Sequence, residues 1–342
     1  LSLPVAAYAV SGMDTPLAVF LCALSAVLMD RPMKVAIVGG LAATIRPELV
    51  PWAATLACGA ALAKREPLAR LALTLAVALL PFALESAVRA VVFGSVAPLA
   101  VRAKPSDFTH GALYALAGMF LVGVFPLVVA PRALLEKRGP ALAIVVATLA
   151  HCASVIVVGG DWMSYARLFA PIVFPLAYAG ARLAQGEAKW VARSRLGLSV
   201  AICVYTLFAI GRDGAEVNRD RARLIESARP YLANTKTVAA LDVGWVSAAT
   251  DATIVDLAGL TDPEIAALPG GHTSKRIDPS MLFARGVDTV LIYGARDSAL
   301  PGRRVVEARL ASSALFLAHF EEVQFLPLGR RGMGYTVFKK KE

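Results

Sequence analysis

Long apolar runs separated by short charged connectors fill the first part of the chain. The runs cover residues 15–30, 35–63, 71–93, 110–130, 140–158, 167–184 and 196–210. The hydrocarbon core of a bilayer is about 30 Å thick, and a helix needs roughly 20 apolar residues to cross it. The pattern therefore predicts a polytopic α-helical membrane domain over residues 1–210. Residues 1–13 are apolar but too short to span, which indicates the end of a helix that starts before Leu1.

A different pattern begins after residue 210. The segments TVAALDVGWVSAAT, ATIVDLAGL and DTVLIYG predict buried strands, DPEIAAL and SMLFARG predict short helices, and RRGMGYTVFKKK predicts a final strand. Strands that alternate with helical stretches are typical of an α/β domain. We therefore expect a small soluble α/β domain over residues 211–342, which begins near Gly211, where the apolar character stops.

The composition and the charge distribution support this division. The chain is 57% hydrophobic and 18% charged, too apolar for an ordinary soluble protein. Of the net charge of +10, +8 lies in residues 1–210, mostly in short connectors. Lys- and Arg-rich connectors face the cytoplasm in membrane proteins. No basic stripe with interleaved aromatic residues is present, so nucleic acid is not an expected partner.

The connectors 94–109 and 159–166 are poorer in Lys and Arg for their length. The orientation rule places them outside the cytoplasm, together with the domain at 211–342. The run 35–63 must then start and end on the cytoplasmic side, although two full spans would need about 35–40 residues. A re-entrant pair of short helices fits this run. The sequence predicts a chain in the cytoplasmic membrane with an extracytoplasmic C-terminal domain.

The re-entrant pair is expected to break at Arg46-Pro47-Glu48. Ionisable residues within the membrane cost roughly 2.5–3.5 kcal/mol each on insertion scales and are candidates for function. Arg46 and Glu48 either neutralise each other at the break or line a substrate cavity. Non-helical backbone at membrane depth is tolerated only inside protein or along a wet cavity.

Three other polar features lie within the apolar runs. Glu85 and Arg89 are four residues apart on one helix face, which favours a self-contained ion pair. His151 is either a hydrogen-bonded core histidine or part of a proton relay. No CxxC spacing occurs, so small buried hydrophobic residues, rather than metal ligands or disulfides, are expected at Cys22, Cys58, Cys152 and Cys203.

An island of polar residues, GGDWMSYAR at 159–167, separates two apolar runs on the expected outer side. The two glycines allow a tight turn at the end of a span. Asp161 and Arg167 bring a carboxylate and a guanidinium to this turn. Trp162 and Tyr165 fit either an interfacial aromatic belt or a supporting role in a site.

Two further outer segments carry charge. Asp14, in SGMDTPLAVF, precedes the first span on the outer side and is a candidate cap of the following helix. Arg102 and Lys104, in FGSVAPLAVRAKPSDF, lie on the side where positive charge is disfavoured. They fit either a solvated loop or the recognition of an anionic group such as a lipid phosphate.

Five of these segments resemble, in the same order, segments of bacterial integral-membrane glycosyltransferases of the GT-C superfamily. SGMDTPLAVF resembles their Gly-Met-Glu/Asp-Thr-Pro-Leu segment, LAATIRPELV their Thr-Arg-Pro-Glu segment, and FGSVAPLAVRAKPS an outer loop. VVGGDWMSYARLFAPIVFPL and DLAGLTDPEIAALPGGH are similar to segments of the branch that contains the mycobacterial terminal arabinofuranosyltransferases. The outer loop departs from the family at Val101-Arg102, where an aromatic residue is usual, so arabinose need not be the sugar.

The resemblance implies transfer of a sugar from a polyprenyl-phosphate donor to a cell-envelope glycan or lipid acceptor. It implies Asp161 and Asp14 as catalytic carboxylates, with Glu48, Trp162 and Tyr165 in support. The donor phosphate would be bound by Arg167, Arg102, Lys104 and Arg46. The acceptor would be guided by Asp262 and His272 in the C-terminal domain.

The family usually carries an acidic residue in its first outer loop, before the point where this sequence starts, so residues 1–342 alone are expected to be inactive. No cofactor is specified by the sequence, and dependence on a divalent metal stays open. Two other functions fit the same features: a lipid or glycolipid transporter or flippase, and a non-catalytic membrane scaffold. Related halves would favour the transporter, and no internal repeat is present. Turnover of a polyprenyl-phosphate sugar distinguishes the enzyme from both.

Overall fold

The structure, a computed structural model, describes residues 2–9, 14–104, 107–130, 139–185, 187–296, 302–329 and 332–341, without the side chains of 213–215. The chain forms two compact units. The first unit comprises Leu1–Val96 and Ser106–Arg212, and the second comprises Ala97–Pro105 and Asp213–Glu342. Part of the connector around residue 100 therefore belongs to the same unit as the C-terminal part of the chain.

The first unit is helical. Its helices, numbered along the chain with α6 belonging to the second unit, are α1 (Leu3–Tyr8), α2 (Thr15–Val27), α3 (Pro32–Ile45), α4 (Val50–Ala63), α5 (Leu68–Phe93), α6 (Leu99–Ala103), α7 (Phe108–Leu121), α8 (Pro140–Val157), α9 (Val173–Ala184) and α10 (Lys189–Ala209). Short 3₁₀ segments lie at Pro47–Leu49, Phe125–Val128 and Arg167–Ile172. Within the described residues, α5, α8 and α10 are long and apolar enough to cross a membrane.

Three other apolar runs give shorter helices than the sequence predicts. Helices α2, α7 and α9 have 13, 14 and 12 residues, or about 18–21 Å at 1.5 Å per residue. Gly123, at a φ of 71°, and Pro126 follow the end of α7. Pro171 lies inside the 3₁₀ segment that precedes α9. The expectation of a full helical span in each of these runs is not confirmed. Glycine and proline interrupt the runs of α7 and α9.

The predicted break in the run 35–63 is confirmed. Helix α3 ends at Ile45, a 3₁₀ turn covers Pro47–Leu49, and α4 begins at Val50. The two helices pack against each other, and α3 also packs against α5 and α4 against α8. A Cβ added to Gly59 would lie 2.5 Å from the Ala143 Cβ, so glycine allows close approach of these two backbones.

Large apolar side chains stay exposed along α5 and α10. They include Leu73, Leu80, Leu84, Val88, Val91, Val92, Phe93, Leu196, Leu198, Val200, Val204 and Phe208. Continuous exposed apolar surface of this kind marks contact with a membrane or another protein. The Glu85–Arg89 ion pair on α5 forms as predicted. All four cysteines are free, with Cys22 and Cys203 buried and the other two half-buried.

The second unit contains a five-stranded sheet. After α6, its elements are α11 (Gly211–Leu232, which starts in the first unit), β1 (Thr237–Ala240), α12 (Val243–Ala249), β2 (Thr253–Asp256), α13 (Pro263–Ala267), α14 (Pro279–Ala284), β3 (Thr289–Ala295), α15 (Val305–Ala311), α16 (Ala314–His319), β4 (Phe320–Pro327) and β5 (Met333–Lys340). The strand order is β2-β1-β3-β5-β4. Strand β1 is parallel to β2 and β3, whereas β5 is antiparallel to β3 and β4.

Alternating side chains of the sheet form two cores. Val238, Leu291 and Val337 pack with Leu224 and Trp245 beneath α11 and α12. On the opposite face, the core consists of Ala239, Val290, Ile292 and Phe338 together with residues of the later helices, such as Leu282, Leu310 and Phe316. This alternation follows from the period of two in a strand. The C-terminal part is therefore a small sheet domain with helices on both faces, as the sequence predicts.

Two details of this domain differ from the prediction. In TVAALDVGWVSAAT only Thr237–Ala240 is a strand, and Val243–Ala249 is a helix. Trp245 and Val246 are the buried residues of this helix, which packs them against the sheet. Strand β4 and helices α15 and α16 were not predicted. Strand β4 is an edge strand with three consecutive exposed residues, so it lacks the buried run on which the prediction depended.

Candidate functional site

Arg46 lies at the break between α3 and α4 and is surrounded by oxygen atoms. Its side chain is 4% exposed. Nη1 is 3.3 Å from Glu48 Oε1, and Nη2 is 3.4 Å from Thr15 Oγ1. Nε is 3.7 Å from Asp14 Oδ2. Arg46 and Glu48 therefore form the predicted pair, and a second carboxylate, from the start of α2, joins them.

Asp14 occupies the N-cap position of α2, but its side chain makes no capping hydrogen bond. Its carboxylate is 41% exposed, whereas that of Glu48 is 12% exposed. The cap interpretation of Asp14 is therefore not supported. The structure instead shows an accessible carboxylate beside a buried guanidinium.

Asp161 and Arg167 form a second, buried ion pair. Asp161 Oδ2 is 2.8 Å from Arg167 Nη2, and their side chains are 3% and 16% exposed. Asp161 Oδ1 also accepts a hydrogen bond from the Trp162 N–H at 2.9 Å. The pair joins Asp161, near the start of the polar island, to Arg167 at its end. Asp161 is therefore held in place and largely shielded from solvent.

The island backbone is strained. Gly159 and Gly160 have φ of 83° and 73°, and Tyr165 and Ala166 have φ of 62° and 49°. Positive φ is costly for residues with a Cβ and persists only where the surroundings enforce it. Two such residues directly before Arg167 set the direction of its 3₁₀ segment. Strain of this kind clusters at functional sites, which supports the island as a site.

Helix α7 supports the island from one side. Asp107 caps this helix by accepting from the His110 N–H, and His110 Nδ1 is 2.7 Å from the Gly159 carbonyl oxygen. The His110 ring stacks on Trp162 at 4.4 Å between centroids. Trp162 is 58% exposed, so one part of its ring packs on His110 while the rest stays accessible. No sequence pattern pointed to His110, because its contacts with Gly159 and Trp162 are long-range.

Two residues connect the Arg46 cluster with the island. His151 is fully buried, with Nδ1 3.2 Å from the Glu48 carbonyl oxygen and Nε2 2.9 Å from the Leu168 carbonyl oxygen. A neutral imidazole has one N–H, so it satisfies both carbonyls only when protonated. Tyr8 donates to the Ser164 carbonyl at 2.5 Å and lies within electrostatic range of Arg46 and Arg167. The structure therefore brings the two ion clusters together.

The combined site holds three carboxylates and two guanidiniums, from Asp14, Arg46, Glu48, Asp161 and Arg167. Of the three carboxylates, only that of Asp14 is substantially exposed. This arrangement offers one accessible base beside guanidiniums whose positions are fixed.

Four residues predicted for the site lie in the second unit. Arg102 is exposed on α6, and Lys104 follows this helix. Helix α6 packs against α13, whose N-cap is Asp262. Burial raises the pKa of Asp262, but hydrogen bonds from Arg285 and from the Ile265 amide outweigh this effect and lower it overall. Asp262 is thus a capping residue paired with Arg285. His272, ten residues further along the chain, is buried.

The carboxylate of Asp256 organises the DLAGLTD segment. It is buried at the end of β2, where Oδ1 accepts from the Ala258 N–H and Oδ2 accepts from the amide and hydroxyl of Thr261. Gly259 has a φ of 70°, and a Cβ there would lie 2.6 Å from the Ala266 nitrogen. The recognisable sequence of this segment is therefore explained by its local structure.

A charged network that no sequence pattern predicts lies at the carboxyl ends of the strands. Asp242, directly after β1, accepts from Arg304 Nη2 at 2.6 Å and from the Tyr335 hydroxyl. Glu307 is fully buried and accepts from the Tyr293 N–H at 3.0 Å. Burial raises the pKa of Glu307 to about 7 despite the nearby Arg304 guanidinium. Asp242 and Tyr335 are far in sequence from Arg304 and Glu307, and the four residues match no motif, so only the fold reveals this network.

The structure was searched for metal-binding sites within the residues that it describes. No group of three or more His, Cys, Asp or Glu side chains there is arranged to hold a metal ion.

Comparison with known proteins gives one match. A family model described as a domain of unknown function, DUF8728, matches residues 213–338. This range starts where the second unit resumes after the helical part and ends within β5. No curated protein and no solved structure matches the chain. The match concerns the α/β part of the chain and carries no description of a reaction.

Proposed function

We propose that this chain is a polyprenyl-phosphate-dependent glycosyltransferase that acts on the outer side of the cytoplasmic membrane and transfers a sugar to a cell-envelope glycan or lipid. The resemblance to GT-C enzymes suggests the reaction class. The observation that carries the proposal is the joined ion cluster, in which the accessible carboxylate of Asp14 lies 3.7 Å from the buried Arg46 guanidinium. His151 and Tyr8 connect this cluster with the Asp161–Arg167 pair. Such a cluster is costly inside an apolar helical unit and is a functional site by default.

A polytopic membrane domain forms part of the proposal. Three helices within the described ranges are long and apolar enough to span, and α5 and α10 expose large apolar side chains. The α3–α4 pair fits a re-entrant hairpin. Ala97–Pro105 and the C-terminal part form one compact unit, which requires that they lie on the same side of the membrane. The distribution of Lys and Arg favours the outer side.

The reaction needs a base for the acceptor hydroxyl. As the hydroxyl oxygen bonds to the anomeric carbon, the bond from that carbon to the donor phosphate breaks, and the hydroxyl proton passes to a carboxylate. Asp14 suits this role better than Asp161, because its side chain is 41% exposed, whereas Asp161 is 3% exposed and bound to Arg167. We assign proton removal to Asp14 and the orientation of Arg167 to Asp161.

The leaving group is a polyprenyl phosphate, and its charge must be stabilised as the bond breaks. Guanidiniums recognise phosphate oxygens through several N–H donors at once. Arg167 and Arg46 are fixed by their carboxylate partners, and fixed donors cost little reorganisation during the reaction. Trp162 and Tyr165, in the same island as Arg167, are proposed to support this phosphate-binding side of the site. Arg102 and Lys104 are proposed as further phosphate contacts, and Asp262 and His272 as parts of the acceptor side.

A donor-turnover assay tests the proposal. The protein would be purified in detergent and supplied with polyprenyl-phosphate sugars of several sugar types and with a cell-envelope acceptor fraction. The assignment of the base to Asp14, which lies within residues 1–342, replaces the expectation from the sequence that these residues alone are inactive, and we expect turnover by the wild-type chain. Asp14→Asn should lose about 10²–10⁴-fold of this turnover, because the change removes the general base. Asp161→Asn should fold and insert normally and also lose most of its activity, because Arg167 loses its partner.

Asp30→Asn is the matched control. Asp30 has a 75% exposed side chain and pairs with Lys64 at the surface, so its loss should leave turnover unchanged. Turnover of Asp14→Asn at the wild-type rate would remove Asp14 from the mechanism. Consumption of no donor, together with movement of labelled lipid across vesicles, would favour the transporter. Neither activity would favour the scaffold.

A further inference from the structure

A cavity of about 820 Å³ opens in the second unit between α11 and the ends of β3, β4 and β5. Helix α11 supplies one polar wall at helical spacing, formed by Glu216, Arg219, Asp220, Arg223 and Ser227. The opposite wall is formed by Tyr293, Arg303, Pro327, Leu328, Gly329 and Met333. A Cβ added to Gly329 would lie 3.0 Å from Asp220 Oδ2, so the glycine lets the β4–β5 turn approach the helix.

The cavity lies near a position where open α/β sheets commonly bind ligands. From β1 the chain passes to β2 on one side and later to β3 on the other side, as the order β2-β1-β3 shows. The strand connections therefore diverge between β1 and β3, and ligands bind outside the carboxyl ends of strands at such a point. Tyr293, near the carboxyl end of β3, lines the cavity.

The Tyr293 ring is held from behind by the charged network. The Arg304 guanidinium lies 5.1 Å from its centroid, and the Tyr335 ring is tilted against it at 5.1 Å. Arg304 and Tyr335 both bond to Asp242. A wall fixed by packing and hydrogen bonds loses little entropy when a ligand binds, which favours affinity.

The lining identifies the chemistry of the ligand. Among the described lining residues, three guanidiniums donate and two carboxylates accept, whereas the Ser227 hydroxyl donates to the Leu224 carbonyl and so offers its oxygen as an acceptor. Positive and negative side chains line the cavity in nearly equal number, which favours a neutral ligand over a polyanion. A neutral polyhydroxylated ligand can donate to these carboxylates, accept from the arginines, and place an apolar ring face on Tyr293. The volume is within the range of about 300–1,000 Å³ that is usual for ligand sites.

We propose that this cavity binds a neutral oligosaccharide. Its identification with the acceptor glycan rests on the proposed function. The glycan is contacted by Tyr293 through its ring and by Asp220 through its carboxylate. This site is additional to Asp262 and His272, neither of which lines the cavity.

Binding is tested with the full chain in detergent by microscale thermophoresis. The probes are three neutral hexasaccharides, built of arabinose, galactose or mannose, with hexagalacturonate and inorganic phosphate as anionic comparisons. At least one neutral probe should bind. Tyr293→Ala and Asp220→Asn should each weaken it by about tenfold or more, as expected for central contacts. Arg276→Gln, which changes an exposed arginine outside the cavity, should bind like the wild-type protein.

Hydrogen exchange of the β3 and β5 amides in each variant checks that the second unit stays folded. The proposal is overturned if no neutral probe binds, if only an anionic probe binds, or if both cavity variants bind with wild-type affinity. Donor turnover on the same preparations separates the two proposals. Turnover without sugar binding overturns the cavity assignment alone, whereas sugar binding without turnover supports the cavity and counts against the transferase.

Discussion

At the residue scale, Arg46 shows how a buried charge constrains a helical unit. Its guanidinium has a carboxylate on either side, from Asp14 and Glu48. Removing one partner of a buried ion pair costs about 3–5 kcal/mol, because the remaining charge is left uncompensated. The same principle implies that removing two opposite charges together costs much less.

We therefore expect Arg46→Met to reduce strongly the yield of folded protein, and Arg46→Met/Glu48→Gln to recover much of it. The measurement is the monodisperse fraction in size-exclusion chromatography, combined with the melting temperature in detergent. Arg89→Met provides a comparison at the self-contained pair on α5. If Arg46→Met behaves like the wild-type protein, the break is an exposed loop and not a buried junction.

Glu307 predicts a pH dependence of the second unit. Burial raises its pKa to about 7 in the folded state, above the value of about 4.3 expected when unfolded. The folded state then binds the proton more tightly, so the free energy of unfolding falls as pH rises between these two values. A shift of this size corresponds to a loss of roughly 3–4 kcal/mol, complete above pH 7.

Glu307→Gln should remove this dependence. At pH 8 the variant should be more stable than the wild-type protein, and near pH 4.5 the two should be alike. Hydrogen exchange of the β3 and β5 amides between pH 4.5 and 8 reports on this unit, after correction for intrinsic exchange rates. Glu321→Gln, on the exposed side of β4, should follow the wild-type curve. A parallel curve for Glu307→Gln would show that Glu307 does not titrate in this range.

At the element scale, the island at 159–167 depends on positive φ. Gly160 has a φ of 73°, and a Cβ there would lie 2.8 Å from the Tyr114 Cβ. Alanine at this position meets both the left-handed penalty of about 1–2 kcal/mol and overpacking of about 1–3 kcal/mol. We expect Gly160→Ala to lower the melting temperature clearly and to abolish donor turnover.

Gly197 on α10 is the matched control. An added Cβ there meets nothing within 4 Å, so Gly197→Ala should raise stability by about 0.5–1 kcal/mol. Ala166→Gly should change stability little, because relief of strain at a φ of 49° offsets the greater flexibility of glycine in the unfolded chain. If Gly160→Ala and Gly197→Ala shift the melting temperature in the same direction, the turn geometry is wrong.

At the scale of the whole molecule, the second unit decides the topology. Because Ala97–Pro105 and Asp213–Glu342 form one compact unit, the proposed membrane topology has the connector between α5 and α7 on the same side of the membrane as the C-terminal part. We expect alkaline phosphatase fused after Glu342 to be active. In a cysteine-free background, Val101→Cys and Glu321→Cys should both react with an impermeant maleimide in right-side-out vesicles.

Lys64→Cys, in a Lys- and Arg-rich connector, should react only after permeabilisation. Opposite labelling of Val101→Cys and Glu321→Cys would contradict the division into units. Labelling of both only after permeabilisation, with an inactive phosphatase fusion, would place the second unit in the cytoplasm and overturn the proposed orientation.

Features that depend on local order could be predicted from the sequence. The break at Arg46-Pro47-Glu48 follows from run length and proline, and the Glu85–Arg89 pair follows from helical spacing. The strands β1, β2, β3 and β5 follow from short buried runs. Lengths of the shorter helices were overestimated, because apolar composition does not reveal where the backbone leaves the helix, as it does at Gly123.

Features that depend on long-range contacts were decided only by the tertiary structure. Sequence patterns indicated each charged residue of the combined site separately: Asp14, Arg46, Glu48, Asp161 and Arg167. Their connection through His151 depends on long-range contacts, such as that with the Glu48 carbonyl oxygen, 103 residues away in sequence. Exposure then distinguishes Asp14 from Asp161, which residue type cannot do. Asp242 and the Arg304–Glu307 pair match no motif, because only the fold brings Asp242, after β1, to Arg304 at the start of α15.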